Sequence, residues 1–525
     1  MQNSSIDIVS LIENKFGDKV QIQKGQLGAA TIVTNNGLHH DVLQAIIEAD
    51  QKTGITAITG LDLGTKIGVY YHVHTSKHLV TIKAEVPKEN PKIQTIIDIH
   101  PGAVFHELEV ADLLGVIFEG HPISGHFVLS EYWPQGVFPL RKDVKANEVK
   151  LSPPAPGEAI KTPEEGRLVK IIVGPQHPAL LEPEKFAVTV DGETVTKVEP
   201  RIGYVHRGIE KATESRTYLQ DVYLVERICG ICNSCHAYGF VGAVEKIMKL
   251  DVPARAKYLR VITLELNRLH SHLLTLGHAG LEIGYETLFQ YFWRDREPIM
   301  DLIELTSGNR VYSSLITIGG VRRDIKDTDI PKIKTILKDL RGKLPFYRKV
   351  YRDEPTIRLR MQNVGVLKKE DALKLSVVGP VARGSGVDID VRKDEPYEAY
   401  GEIPFKEIVY TTGDTWARMN VRMDEVEESI NIIEYALDHL PSGPFRVSVA
   451  RSVFAGEAVN RVEAPRGELF YYVKSNGTDM PERVKVRTPT FANIPSFLKT
   501  AIGESIADVP ANFVSLDPCF SCTDR

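Results

Sequence analysis

Two stretches of the chain carry apolar residues at the spacing of packed helices. In both stretches the apolar positions recur at alternating intervals of three and four residues. The first set is Leu259, Ile262, Leu266, Leu269, Leu273 and Leu276, and the second is Met423, Val426, Ile430, Ile433, Leu437 and Leu440. This spacing is typical of the seam between two packed helices. Together with the apolar segments around residues 285–318, the two seams predict a helical bundle in the C-terminal part of the chain.

Shorter patterns predict mixed structure outside the bundle. Residues 78–86 alternate in side-chain character, as a strand does. Residues 105–114 predict a helix that ends at Gly115 and carries its acids on a solvated face. Residues 185–198 predict a β-hairpin with a tight turn at Asp191-Gly192. The expected fold class is α+β, with a small α/β domain first and then a mainly helical domain with peripheral β-hairpins.

A proline-rich segment separates these two regions. Residues 150–166 contain Pro153, Pro154, Pro156 and Pro163 and few apolar anchors. Such a composition is typical of an extended linker. We therefore expect a first domain at residues 1–145, a linker at 146–166 and a second domain at 167–525.

The composition of the chain indicates its cellular compartment and the kinds of molecule it is expected to contact. The 525 residues include 69 acids and 64 Lys and Arg, a net charge of −5, which does not favour nucleic-acid binding. The start of the sequence does not resemble a signal peptide, and no apolar stretch reaches the roughly 20 residues of a membrane helix. We expect any membrane contact to be made by partner subunits. The five cysteines indicate a reducing compartment rather than a disulfide framework.

Four of those cysteines form two pairs of equal spacing, Cys229-x-x-Cys232 and Cys519-x-x-Cys522. A helix predicted from His236 onward would lower the pKa of thiols that precede it. Four thiolates make a soft site that suits Zn, an Fe–S cluster, Ni or Cu(I). Spacing alone leaves open a structural zinc site, an Fe–S cluster and another catalytic metal. We expect Cys235, outside the pairs, to be a small buried thiol.

The segments around these pairs carry a family resemblance. "RICGICNSCH" and "DPCFSCTDR" resemble the two signatures of [NiFe] hydrogenase large subunits, with Arg525 where many members have histidine. "GPQHPALLEPEKF", "PRIGYVHRGIEK" and "EAPRGEL" resemble the large quinone-site subunit of respiratory complex I, the 49 kDa subunit. Residues 105–144 resemble its smaller hydrophilic neighbour, the 30 kDa subunit. The combination resembles the large subunit of membrane-bound, energy-converting hydrogenases of the formate hydrogenlyase class, because the complex I family lacks cysteines at these places.

The resemblance implies a Ni-Fe(CN)2(CO) centre. In the family's pattern Cys229 and Cys519 are terminal ligands of nickel, and Cys232 and Cys522 bridge nickel to iron. His236 matches a histidine that supports a bridging sulfur.

The resemblance also implies roles around the metals. Arg466 matches an arginine held over the diatomic ligands of iron, and Thr490 a hydroxyl residue that donates to the other cyanide. We expect Asp517 to fix the turn of the second motif. Glu182 aligns with the glutamate through which protons leave, and Glu226 is the rival carboxylate.

The implied function is that of a hydrogenase catalytic subunit, which interconverts H2 with two protons and two electrons, with H2 evolution as the expected direction. The chain has no spare cysteines for a [4Fe–4S] cluster and no glycine-rich loop for NAD, and we expect no flavin. Expected partners are a small subunit with the proximal [4Fe–4S] cluster, other Fe–S subunits and integral membrane antiporter-like subunits that translocate ions. The expected location is the cytoplasmic face of the membrane.

The family also implies maturation partners. We expect nickel-insertion factors, and a peptidase that removes a C-terminal extension after Arg525. A guanidinium does not ligate metals, so Arg525 should pair with acids instead of holding a terminal metal ion.

Two alternatives to the hydrogenase remain. One is a complex I-like protein that reduces quinone or a sulfur compound. The other is a scaffold stabilised by a four-cysteine zinc site.

Overall fold

The computed structural model describes residues 7–24, 30–34, 37–76, 78–123, 125–152, 168–177 and 180–525. Most of the expected linker, from residue 153 onward, lies outside these ranges.

The N-terminal region is built on one mixed sheet. Its strands run in the order β1-β2-β5-β4-β3, with β2 and β5 parallel and the other neighbours antiparallel. The elements are α1 (Ile8–Phe16), β1 (Val20–Lys24), β2 (Ala30–Thr34), α2 (Leu38–Ala49), β3 (Gly54–Asp62), β4 (Lys66–His74), β5 (Leu79–Pro87), β6 (Lys92–Gln94), α3 (Val104–Leu114) and β7 (Ile117–Glu119). The predicted strand at residues 78–86 is confirmed as β5, whose side chains alternate in burial.

The C-terminal region begins with the predicted hairpin. Its first elements are β8 (Leu168–Val173), β9 (Lys185–Asp191), β10 (Thr194–Arg201), α4 (Ile209–Thr213), α5 (Tyr218–Glu226), α6 (Asn233–Met248), α7 (Ala254–Glu282), α8 (Glu286–Ser307), β11 (Ile316–Thr317) and β12 (Gly320–Val321). Then follow α9 (Ile330–Asp353), α10 (Pro355–Met361), α11 (Lys369–Lys374), α12 (Pro380–Gly384), α13 (Val391–Asp394), α14 (Thr415–Asp438), β13 (Gly456–Ala464), β14 (Gly467–Ser475), β15 (Pro481–Arg487), α15 (Pro489–Thr500), α16 (Val509–Ser515) and α17 (Phe520–Asp524).

The two predicted seams lie in long helices of the bundle. The first seam falls within α7, and all six of its residues are buried in the largest hydrophobic cluster. The second falls in α14, which packs on α7 and α9. Only Leu440 of that seam lies beyond its helix, since Pro441 follows and disfavours the helical conformation before it. The predicted bundle is therefore confirmed.

The acidic face of α3 departs from expectation. The helix ends at Gly115, whose φ of 76° suits glycine, as predicted. Its acids are not solvated, because Glu107, Glu109 and Asp112 are at most 6% exposed. Asp112 accepts three main-chain N–H bonds from residues 127–129, and Glu109 meets cations of the C-terminal region. The helical pattern could not show this, because the partners of these acids lie outside the helix, in a following loop and in the C-terminal region.

The two regions meet along β3 and β15. Arg483 donates from Nε to the main-chain oxygen of Gly60 at 3.1 Å. Tyr70 packs edge-on against Tyr472 with ring centroids 6.3 Å apart. None of the helices in the described part of the chain combines the length and the apolarity needed to cross a bilayer.

Candidate metal centre

The structure brings the two cysteine pairs together in the core. Cys229 lies in the loop after α5, and Cys232 immediately precedes α6, which begins at Asn233 and so three residues earlier than predicted. Cys519 immediately precedes α17, and Cys522 lies within that helix. The Sγ atoms of Cys229 and Cys519 lie 3.5 Å apart, as do those of Cys232 and Cys522. All four are at most 3% exposed.

The spacing and electrostatics of the sulfurs fit a bound cation. Metal–sulfur bonds of about 2.3 Å place tetrahedral ligands roughly 3.8 Å apart, close to what the two pairs show. The ligand atoms of Cys229, Cys232 and Cys522 all lie within 4.8 Å of one another. Hydrogen bonds from Cys232, Cys519 and Cys522 lower the pKa of Cys229 well below its usual value, whereas burial is the main cause that raises the pKa of Cys522. A bound cation would allow all four sulfurs to be deprotonated together, because its charge would offset theirs.

His236 faces this cluster from α6. Its Nε2 lies 3.5 Å from Sγ of Cys522, and its Nδ1 lies 2.7 Å from the hydroxyl of Tyr471 on β14. Burial lowers the pKa of His236 to about 4, so the ring is neutral near pH 7. Nothing in the sequence pattern had marked Tyr471.

Arg466 approaches the sulfurs from the turn between β13 and β14. Its Nε donates to the main-chain oxygen of Asp517 at 2.8 Å, and Nη2 forms an ion pair of 2.9 Å with the Asp517 carboxylate. The remaining nitrogen, Nη1, is buried without a hydrogen-bond partner among the described residues. Its charge interacts with Cys519 and Cys229. An unused donor beside the sulfurs fits an anionic ligand such as cyanide, which a plain four-cysteine zinc site does not supply.

Thr490 and Asp517 hold the second motif. Thr490 Oγ1, at the start of α15, accepts from the main-chain N–H of Cys519 at 3.1 Å. Asp517 has a φ of 56°, a conformation that aspartate tolerates better than most residues. Arg422 of α14, which the sequence analysis missed, lies 4.0 Å from the Asp517 carboxylate.

The two candidate proton carriers differ in their surroundings. Glu182 accepts from the N–H of Ser521 at 2.8 Å and from its hydroxyl. Burial, followed by the charge of Cys229, raises the pKa of Glu182. Glu226 is turned towards Ser314 and Arg227 instead, and burial raises its pKa as well. Ser521 stands inside the second motif, so the sequence could have indicated this contact.

Cys235 and Arg525 behave as expected. Cys235 is 1% exposed, and burial raises its pKa to about 12. Arg525 is buried and pairs with Glu109 and with Glu210, the latter at 3.1 Å. The sequence pattern had not singled out either glutamate.

Family models match successive parts of the chain. Residues 29–150 match the respiratory-chain NADH dehydrogenase 30 kDa subunit, residues 207–279 match nickel-dependent hydrogenase, and residues 282–455 and 447–525 match the 49 kDa subunit of NADH dehydrogenase.

Individual relatives cover most of the chain. The membrane-bound hydrogenase subunit alpha of Pyrococcus furiosus is 42% identical over 68% of this chain and 87% of its own. The C/D subunit of NADH-quinone oxidoreductase from Bacteroides fragilis is 34% identical over 93% of this chain and 98% of its own. Formate hydrogenlyase subunit 5 of Escherichia coli is 35% identical over 87% of this chain and 82% of its own.

A solved structure shares the fold. A chain of the membrane-bound sulfane sulfur reductase, an archaeal respiratory membrane complex, aligns with a TM-score of 0.67 and 34% identity, over 69% of this chain and all of that chain. The chain therefore belongs to the family that unites the 49 kDa subunit of respiratory complex I with the large subunits of membrane-bound nickel-dependent hydrogenases, and it carries a 30 kDa-type domain fused in front.

Proposed function

We propose that this chain is the catalytic subunit of a membrane-bound [NiFe] hydrogenase that evolves H2, with ion translocation by partner subunits. The observation that carries the proposal is the cluster of four buried sulfurs, with an unused guanidinium donor of Arg466 beside them. Cys229, Cys232, Cys519 and Cys522 would hold the Ni–Fe centre. Bound there, the centre supplies the heterolytic chemistry of H2.

The remaining chemistry falls to this chain's side chains. Glu182 has a raised pKa and lies against Ser521, so it can take up a proton beside Cys519 and release it toward solvent. His236 holds a hydrogen bond toward the sulfur of Cys522. Arg466 donates to the anionic ligands of the centre, and Thr490 and Asp517 keep the second motif in place.

The proposal extends to organisation and partners. Its relatives are subunits of membrane-bound respiratory complexes, which supports a peripheral position on membrane-embedded partners. We place that position on the cytoplasmic face. With four of five cysteines committed to the centre, electrons would pass to a cluster in a small partner subunit. We take residues 1–145 and 167–525 as the two domains.

A second candidate is a reductase of quinone or of a sulfur compound. It is favoured by the 34% identity to the sulfane sulfur reductase chain and by the complex I family models. A four-cysteine zinc scaffold is the third possibility, and the free donor of Arg466 argues against it.

Metal content separates the three functions. The hydrogenase predicts about one nickel and one iron per chain of the purified complex, infrared bands of CO and cyanide, and H2 evolution with a reduced electron carrier. Cys519→Ser should abolish all of these, whereas Cys235→Ser, a matched buried thiol outside the cluster, should retain them. Zinc in place of nickel would support the scaffold. Sulfur or quinone reduction without nickel would support the reductase.

A further inference from the structure

Arg525 ties the second cysteine pair to the N-terminal region. Its guanidinium is 2% exposed and donates from Nη2 to Glu109 of α3, across a sequence separation of 416 residues. Nε donates to Glu210 at 3.1 Å, and Nη1 donates to the main-chain oxygen of Thr523 at 2.6 Å. The main-chain oxygen of Arg525 also accepts from the N–H of Ile209 at 3.2 Å. The position of this residue is thus set from several sides.

The helix that joins Arg525 to the cysteines cannot hold itself in place. α17 has five residues, and a helix of one or two turns has no stability of its own in water. Its position depends on tertiary contacts, which include the buried ring of Phe520, the bond from Cys519 to Thr490 and three polar anchors at residues 521–525. Glu182 binds Ser521, the Asp524 carboxylate accepts the N–H groups of Gly203 and Val205, and Arg525 binds its two glutamates. Loosening any anchor should therefore free the sulfurs that α17 carries.

Glu109 lies at the centre of a buried charge network. Its second oxygen forms an ion pair with Lys485, which lies 3.6 Å from Glu210. Arg483 pairs with Glu210 at 2.8 Å. With Arg525 included, two carboxylates thus face three cations, and each of these five residues is at most 6% exposed. Removing Glu109 leaves Glu210 as the one carboxylate that faces Lys485, Arg483 and Arg525 in this network, which is unfavourable in a buried site.

We propose that Glu109 is a positioning residue for the metal centre, acting through Arg525 and α17 on Cys519 and Cys522. The N-terminal region then contributes to the metal centre, because one of its side chains sets the geometry of two metal ligands. The inference rests on the proposed function for the identity of the metal, but its geometry does not depend on which metal binds.

The test uses a matched pair of variants on α3. Glu109→Gln removes one of the two negative charges that hold Arg525. Glu107→Gln changes an equally buried acid on the same helix, whose partners Thr95 and Ile96 belong to the N-terminal region. The full-length chain is prepared without nickel, and the modification rate of each cysteine by a thiol reagent is mapped by mass spectrometry.

The expected result is local. Glu109→Gln should speed the modification of Cys519 and Cys522 about tenfold, with a smaller change at Cys229 and Cys232, because only α17 is released. Glu107→Gln should leave all four rates near those of the unaltered chain. Arg525→Gln should reproduce the pattern of Glu109→Gln, and the double variant should add nothing further.

Several outcomes would overturn the proposal. Unchanged rates in a folded Glu109→Gln chain, or equal acceleration at both cysteine pairs, would each do so. Glu109→Asp keeps the charge on a shorter side chain, so it should raise the modification rates of Cys519 and Cys522 by less than Glu109→Gln does. Rates equal to those of the unaltered chain in Glu109→Asp would also count against the proposal. If both Glu109 variants fail to fold while Glu107→Gln folds, Glu109 serves general stability instead. Absence of nickel from the native complex would overturn the proposed function alone.

Discussion

The hydroxyl of Tyr471 lies 2.7 Å from Nδ1 of His236, although 235 residues separate them. Burial keeps the pKa of Tyr471 well above its usual value, so this hydroxyl keeps its proton and can donate a hydrogen bond to Nδ1. A neutral His236 ring that accepts this bond carries its proton on Nε2, directed at Sγ of Cys522, 3.5 Å away. A hydrogen bond from this tyrosine on β14 would therefore leave the other ring nitrogen of His236 as the donor to the sulfur of Cys522.

Tyr471→Phe should therefore weaken the centre without unfolding the chain. Loss of a partner that orients a metal-site histidine lowers metal affinity or activity by about 10–100-fold. Nickel content and H2 evolution of the purified complex are the measurements. Tyr472→Phe is the control, because the neighbouring hydroxyl binds Glu457 instead. Equal losses in both variants would argue against a specific role of Tyr471.

Glu182→Gln should stop proton transfer while the metals still assemble. The amide keeps the size of the side chain but does not titrate, and a positioned acid–base group contributes roughly 10²–10⁴-fold. H/D exchange and H2 evolution should fall by that order, with nickel content unchanged. Glu226→Gln should leave both rates intact. The reverse result would transfer the role to Glu226.

Arg466→Lys should alter the centre although the charge is kept. A lysine ammonium cannot reproduce the bonds from Nε and Nη2 to Asp517 while also offering Nη1 to a ligand. A hydrogen bond to a charged group contributes about 1.5–3 kcal/mol, so activity should fall roughly tenfold or more. The infrared bands of CO and cyanide should shift. The same substitution at Arg461, which pairs with Glu468, should leave those bands in place.

Glu468 should make the free energy of unfolding decrease as the pH falls into the acid range. Burial acts to raise the pKa of Glu468, but Arg461 and Arg487 outweigh it and lower the pKa from 4.5 to about 2. A depressed folded-state pKa gives stability that is complete above pH 4.5 and is lost as the pH falls towards 2. The shift corresponds to about 3 kcal/mol.

Urea unfolding of Glu468→Gln and the unaltered chain between pH 7 and pH 3 tests this dependence. The difference in free energy of unfolding should be largest at neutral pH and should shrink below pH 4.5, where the unfolded carboxyl takes up a proton. A constant difference over this range would contradict it.

Gly203 and Gly208 flank a short loop that contacts α17 through Asp524. Replacing each of them with alanine tests how closely the chain packs there. Gly203 has a φ of 104°, and a Cβ there would lie 2.2 Å from the main-chain oxygen of Val128. Gly208 has a φ of 63°, with nothing within 4 Å of such a Cβ. Gly208→Ala should cost about 1–2 kcal/mol from the backbone conformation alone. Gly203→Ala should lower the midpoint of thermal unfolding more than Gly208→Ala does, because its Cβ also meets Val128. Equal midpoints in the two variants would show that the chain relieves this contact without loss of stability.

Local sequence patterns determined the helices and strands and the two cysteine pairs proposed to bind the metals. The seam from Leu259 to Leu276 follows the helical period, and Gly115 ends α3 through its own backbone freedom. The spacing of Cys229 with Cys232, and of Cys519 with Cys522, is a property of single turns. Such features depend on residues a few positions apart, so the sequence alone carries them.

The tertiary structure decided what surrounds those pairs. Tyr471 beside His236, and Glu109 beside Arg525, are contacts across hundreds of residues, and neither side chain carries a local signal. The acids of α3 show the reason most clearly. Their spacing matches that of a solvated helix face, yet the cations of the C-terminal region and main-chain N–H groups of a nearby loop bury them. Periodicity determines which residues share a face, whereas only the packing of distant elements decides whether water or a counter-charge covers it.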